Sequence, residues 1–274
     1  MKLSAFAAAA AFACLVQPAQ AFTLFSANGT IAEITPTVDA FRDALGDLNA
    51  PEPVNVDGGR RQINWDAAPD GISDPNFFPG DFFNFPAAPR ARGIEFSTPG
   101  DGFMLSSTAA SLEPVNFGQG GSGISHFSVE RVFSPIGSPI VDVNFFNPAE
   151  PDSPAVTTGL GVVFVDVEGT TSSMEFFDIN GDSLLKETVP FGDDGSFSFL
   201  GAAFDSAVVA SVRIVSGDLQ LLADGSLNSQ SGDFVVMDDF IFGEPTQVPL
   251  PAAGWLLLAG IGGLAAVRRR RAAA

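Results

Sequence analysis

Between its two ends the chain is cut into short apolar runs by glycine, proline, asparagine and aspartate, and this punctuation limits the fold more than any other feature. The 29 glycines and 20 prolines leave few places for a long helix, because each proline inside one costs about 3 kcal/mol. Short runs of Val, Ile, Phe and Leu bounded by turn residues are the pattern of strands. The expected fold is therefore all-β: an antiparallel β-sandwich, jelly-roll-like, with one short N-terminal helix. The stretch 22–247 is long enough for one domain with a substantial core, and it shows no fixed-period repeat.

The one helical pattern lies near the start. Val38, Phe41, Leu45 and Leu48 recur at helical spacing, with Asp39, Arg42, Asp43 and Asp47 between them. Thr35 is placed to cap and Pro36 to occupy the first turn. Residues 49–59 read as a loop, and Arg61–Asp66 as the start of a strand. The irregular stretch 70–89 carries Phe77, Phe78, Phe82, Phe83 and Phe85, which reads as a loop pinned by aromatics over a sheet edge. Strands are expected over 93–97 and 102–107, with Pro99–Gly102 as the turn between them. Further strands follow over 160–167, 173–177, 183–189, 196–200, 207–216 and 233–242, with Asn180-Gly181 as a hairpin turn. The last is apolar on both faces: Phe234, Val236, Phe240 and Phe242 on one, Val235, Met237 and Ile241 on the other. It is expected to be central, with Asp238 and Asp239 one on each face.

The ends have a different character. Lys2, the apolar run Leu3–Val16 and the small-x-small site Ala19-Gln20-Ala21 form a secretory leader, residues 1–21, read by a Sec translocon and a signal peptidase. The only cysteine, Cys14, lies within it, so a chain starting at Phe22 has no disulfide and no thiol chemistry. At the other end, residues 248–267 carry no charge and are followed by Arg268, Arg269, Arg270 and Arg271. Twenty residues at helical rise span about 30 Å, enough for a C-terminal transmembrane helix. Trp255 suits the interface, and the arginines form a stop-transfer cluster. Without these ends the body keeps eight basic residues against 32 acidic ones, a formal charge near −24. That balance excludes nucleic acid as a partner and favours solubility in a saline or polysaccharide-rich medium.

Val248-Pro249-Leu250-Pro251-Ala252, the apolar span and the arginine cluster together resemble a VPLPA-type C-terminal sorting signal, a relative of the PEP-CTERM signals. The resemblance covers 248–271. It implies recognition by a membrane-embedded exosortase, a transient membrane anchor, removal of the helix, and delivery to the cell surface or extracellular polysaccharide. The body is also similar to a family of secreted bacterial proteins without an established activity. That likeness rests on segments 59–66, 81–84, 92–96, 199–201 and 236–240. Paired aspartates on a closing strand also resemble the last strand of jelly-roll carbohydrate-binding and adhesion modules.

Candidate chemistry in the body is sparse. Asp178-x-Asn180-x-Asp182 spaces oxygens as a calcium loop begins, but Gly181 precedes the third ligand and Val189 stands where a bidentate Glu belongs, so a hairpin turn is the better reading. Asp238 and Asp239 are candidate ligands for a structural Ca2+, since a covered carboxylate must be paired, hydrogen-bonded or metal-bound. The competing reading is a hydrogen bond to backbone or to an arginine such as Arg61. Arg60, Arg61 and Trp65 are candidate glycan contacts through stacking and bidentate hydrogen bonds. His126 is the only histidine and reads as a strand residue; without a nucleophile elbow or a thiol it points to neither a triad nor zinc. Expected, then, is an exported, non-enzymatic protein, able to bind polysaccharide. A secreted glycan hydrolase or lyase and a purely structural matrix component are the alternatives, because two carboxylates suffice for glycoside hydrolysis.

Overall fold

A computed structural model describes residues 20–106, 124–129, 131–229 and 231–248. Over these residues the chain forms two antiparallel sheets and one helix, a β-sandwich-like arrangement. The first sheet contains β1 (Phe22–Gly29), β2 (Arg60–Ile63), β4 (Gly102–Leu105), β5 (Phe133–Ile136), β8 (Gly159–Val165), β11 (Phe197–Phe204) and β13 (Val236–Gly243). Its order is β1-β11-β8-β13-β5-β4, with β2 also paired to β13. The second contains β3 (Ile94–Ser97), β6 (Ile140–Asn147), β7 (Glu150–Val156), β9 (Ser173–Phe177), β10 (Ser183–Thr188), β12 (Ser211–Val215) and β14 (Thr246–Gln247). Its order is β10-β9-β12-β6-β7-β14, with β3 paired to β6. The expected turn between β3 and β4 is thus a crossing from one sheet to the other, not a hairpin.

The helix α1 (Ile31–Leu45) begins earlier than Thr35. Thr30 and Glu33 form a capping box, with the Thr30 N–H and hydroxyl both donating to the Glu33 carboxylate at 2.8 Å. Pro36 is accommodated inside the helix on its exposed side. Gly46 ends it with φ 97°, and Leu48 lies beyond it, exposed. Ile34, Val38, Phe41 and Leu45 cover the outer face of the first sheet, where Phe41 meets Phe25 at 5.3 Å and Phe199 at 5.4 Å between ring centroids. A second core fills the space between the sheets, and Trp65 sits at its centre, stacked on Phe133 at 4.4 Å and edge-on to Phe78, Phe83 and Phe240. The 70–89 stretch is pinned as expected: Phe78 and Phe83 are buried in this core, and Arg90 lies over Phe82 and Phe85.

The face pattern of β13 differs from simple alternation. Met237 pairs with Phe164 and Phe240 with Val162, so Asp238 and Asp239 together stand opposite the single residue Val163. This is a β-bulge, and it resets the alternation. Val235, Met237, Phe240 and Phe242 face the inter-sheet core, while Val236 and Ile241 pack beneath α1.

Candidate functional site

The bulge puts both aspartates in the interior, with Asp238 0% and Asp239 3% exposed. Asp238 accepts the backbone N–H groups of Phe127 (2.5 Å) and Ser128 (3.2 Å) and the Ser128 hydroxyl (2.9 Å). Asp239 accepts from Arg42 of α1 at 2.9 Å. The bulge carbonyl of Asp238 accepts the Trp65 indole N–H at 2.6 Å. Burial first, then the Asp239 charge, pushes the Asp238 carboxyl well above the usual carboxylate range; burial likewise raises Asp239, against the pull of Arg42. Protein donors thus serve both oxygens of Asp238 and one of Asp239, while Asp239 Oδ1 is buried with no hydrogen-bond partner among the described residues. The bulge pair joins α1 and the 124–129 segment to the sheet, and the arginine that serves it is Arg42, not Arg61.

Arg61 and Trp65 are both 1% exposed, so neither belongs to a sugar-facing surface. Arg61 makes two 2.7 Å bonds to Glu244 and also donates to the Ala91 carbonyl, tying β2 to the end of β13. The geometry is a buried bidentate bracket. Arg60 is half-buried and donates to the Gly46 carbonyl at the end of α1. The three residues expected to form one glycan face thus serve three separate structural contacts. His126 lies in the coil of 124–129, not in a strand. In the turn after β9, Asp178 accepts the N–H groups of Asn180 and Asp182 at 2.8 and 2.9 Å, the local bonding of a hairpin turn. Of the sorting motif only Val248 is described, one residue after β14 ends; Pro249–Ala252, the apolar span and Arg268–Arg271 lie outside the described residues. Among the described residues no helix is long and apolar enough to cross a membrane.

An open recess among the described residues lies elsewhere. It measures about 580 Å³ and lies at the N-terminal end of α1, lined among others by Asn28, Ile31, Asp193, Asp194, Ser196 and Phe197. Behind Asp194, carboxylate oxygens of Asp166, Glu168 and Asp194 fall within 4.8 Å of one another, a set that could hold a divalent ion together with carbonyls or water. Asp166 has φ 70° and accepts the Gly195 N–H at 2.7 Å; burial, opposed by that bond and assisted by Asp194 and Glu168, raises its pKa to about 6. Sequence reading missed this set because its members come from the loops after β8 and before β11, 28 positions apart, and only the β8–β11 pairing brings them together. No protein-family model, curated protein or solved structure matches the chain.

Proposed function

We propose that the chain is an exported, non-enzymatic protein of the cell surface or extracellular matrix, and that its body binds a neutral polysaccharide in the recess at the N-terminal end of α1. The body is read as a jelly roll. The orders β5-β13-β8-β11 and β6-β12-β9-β10, in which successive strands alternate largely between sheets, support that reading. The observation that carries the binding proposal is the recess, where exposed Asp193 and Asp194 and half-buried Ser196 border the exposed Ile31. Sugars are held by such a pairing of polar acceptors with an apolar platform. A body charge near −24 disfavours an acidic glycan. Export rests on the leader and on the sorting tail, with an exosortase as the processing partner and the membrane as a temporary anchor.

Glycan-array binding, with and without EDTA, tests the proposal, with Ile31→Ala and Asp194→Asn as recess variants. Absence of binding to any neutral glycan would overturn it, and dependence on EDTA would place a structural Ca2+ in the binding form. Intact Arg268–Ala274 on surface-extracted protein, seen by mass spectrometry, would refute the processing step. One observation favours a glycan-active enzyme as the second reading: Asp166 has a raised pKa and lies close to the Asp194 carboxylate. Asp166 does not line the recess, however, and its Oδ1 is engaged by Gly195. Release of reducing ends from a bound glycan, abolished by Asp166→Asn, would decide for the enzyme.

A further inference from the structure

The sandwich has one long strand edge left open among the described residues. In the first sheet, β4 at the far edge is covered by the preceding loop: Phe78 donates to the Phe103 carbonyl at 2.8 Å and Asp74 to that of Leu105 at 2.9 Å. In the second sheet, β3 donates to the Gly80 carbonyl, β14 is two residues long, and β10 carries Lys186 and Glu187. Each is a familiar way of blunting an edge. β1 has none of them. It is eight residues long, pairs with β11 along its whole length, and contains no charge and no proline. Every second residue turns its N–H and C=O to the unpaired side. Phe22 and Leu24, each 41% exposed, leave the rim of the inter-sheet core uncovered there.

The helix above this edge leaves room for a neighbour. Arg42 reaches Asp239 on β13, which sets the rotation of α1 about its axis. At about 100° per residue, the opposite flank, toward β1, then carries Thr37, Ala40 and Ala44. Ala44 lies beside Thr23 of β1 in a shared hollow. The one carboxylate on that flank, Glu33, is turned back onto Thr30 by the capping box.

We infer that β1 is an interface for a second copy of this chain: two β1 strands pair antiparallel about a two-fold axis, continuing the first sheet, with the small flanks of the two α1 helices side by side. β1 itself carries no charge, so two copies can pair along it without setting like charges opposite each other within the ladder. The contact strip is about 27 Å long from eight extended residues and about 20 Å deep through the sheet and helix layers. That is about 500 Å² a side, roughly 1,000 Å² in all, at the lower end for a specific interface, so the dimer should dissociate on dilution. The two-fold axis must pass midway between the two copies of one residue, since only then do same-face side chains meet.

The test uses the full chain in detergent, with mass measured by sedimentation across a hundredfold concentration range. The expected result is a monomer–dimer equilibrium, abolished by Leu24→Lys and retained by Thr188→Lys, which places the same charge on the β10 edge. A monomer at every concentration, or a dimer that survives Leu24→Lys, overturns the inference; the latter would place association elsewhere, including the apolar tail. Should Leu24→Lys fail to fold, single cysteines at Thr23, Leu24, Phe25 and Ser26 in a Cys14→Ser background give a second readout. The residue whose two copies flank the axis should cross-link to its own copy, and absence of cross-linking at all four positions refutes the pairing.

Discussion

Replacing Asp239 by Asn should weaken a pH dependence that the bulge builds into the protein. The bulge holds two carboxyls side by side in the interior with a single cation, Arg42, to compensate them. Burial raises both carboxyls above their ordinary range, and the Asp239 charge raises Asp238 further. In the unfolded chain both lose their protons near pH 3.9. Folding is therefore favoured by proton uptake, and the stabilisation is fully present below the unfolded value and lost as pH rises through the folded one. Where the folded chain holds one proton more than the unfolded chain, stability falls by about 1.4 kcal/mol per pH unit. The variant's neutral amide removes one raised carboxyl and the charge that raises Asp238 further, while Asp238 keeps its three donors. Urea midpoints at pH 5, 6 and 7, followed by the emission of buried Trp65, measure both chains. Asp166 and Asp233 are also raised, but both chains carry them and they cancel in the difference. The variant should gain on the wild type as pH rises, by up to about 1.4 kcal/mol per unit wherever the wild type holds one proton more when folded. A difference that stays constant from pH 5 to 7 would refute the raised titration of the pair.

Three further outcomes are expected. Arg61→Met leaves the Glu244 carboxylate buried with Asn49 as its remaining side-chain partner and should cost about 3–5 kcal/mol in urea unfolding; adding Glu244→Leu should recover part of the loss. Gly161→Ala places a Cβ 2.6 Å from both Phe199 and Phe41, and overpacking beneath α1 should cost about 1–3 kcal/mol, read as a lowered Tm. Asp166→Asn should flatten the stability profile between about pH 4 and 6, since a raised carboxyl loses its stabilising proton as pH rises through about 6; an unchanged profile would show that Asp166 titrates normally.

Several elements were readable in the residues. Leu160–Val165 is fully buried as its unbroken apolar run requires, and Asn180-Gly181 turns the β9–β10 hairpin. The helix start was also legible in Thr30 and Glu33, three apart before an apolar run, although Pro36 points to a later start. Other strands were concealed by their own chemistry. β7 contains Pro151 and Pro154, which argue against a strand until its sparse pairing with β6 is seen. β1 starts at Phe22, directly after the expected leader, and owes its place to an eight-residue register with β11.

Local pattern and composition determined the class of fold, the acidity of the body and the absence of any cysteine beyond Cys14. These follow from residue type and near-neighbour spacing, which act along the chain. The tertiary structure decided what distant pairing controls. It placed Asp238 and Asp239 on one face, because both stand opposite Val163. It buried Trp65 and Arg61 rather than presenting them to a ligand. It also drew Asp166, Glu168 and Asp194 together and left β1 as the open edge. A one-residue change of register moves a side chain from one face of a sheet to the other, and register is a property of two strands rather than of one.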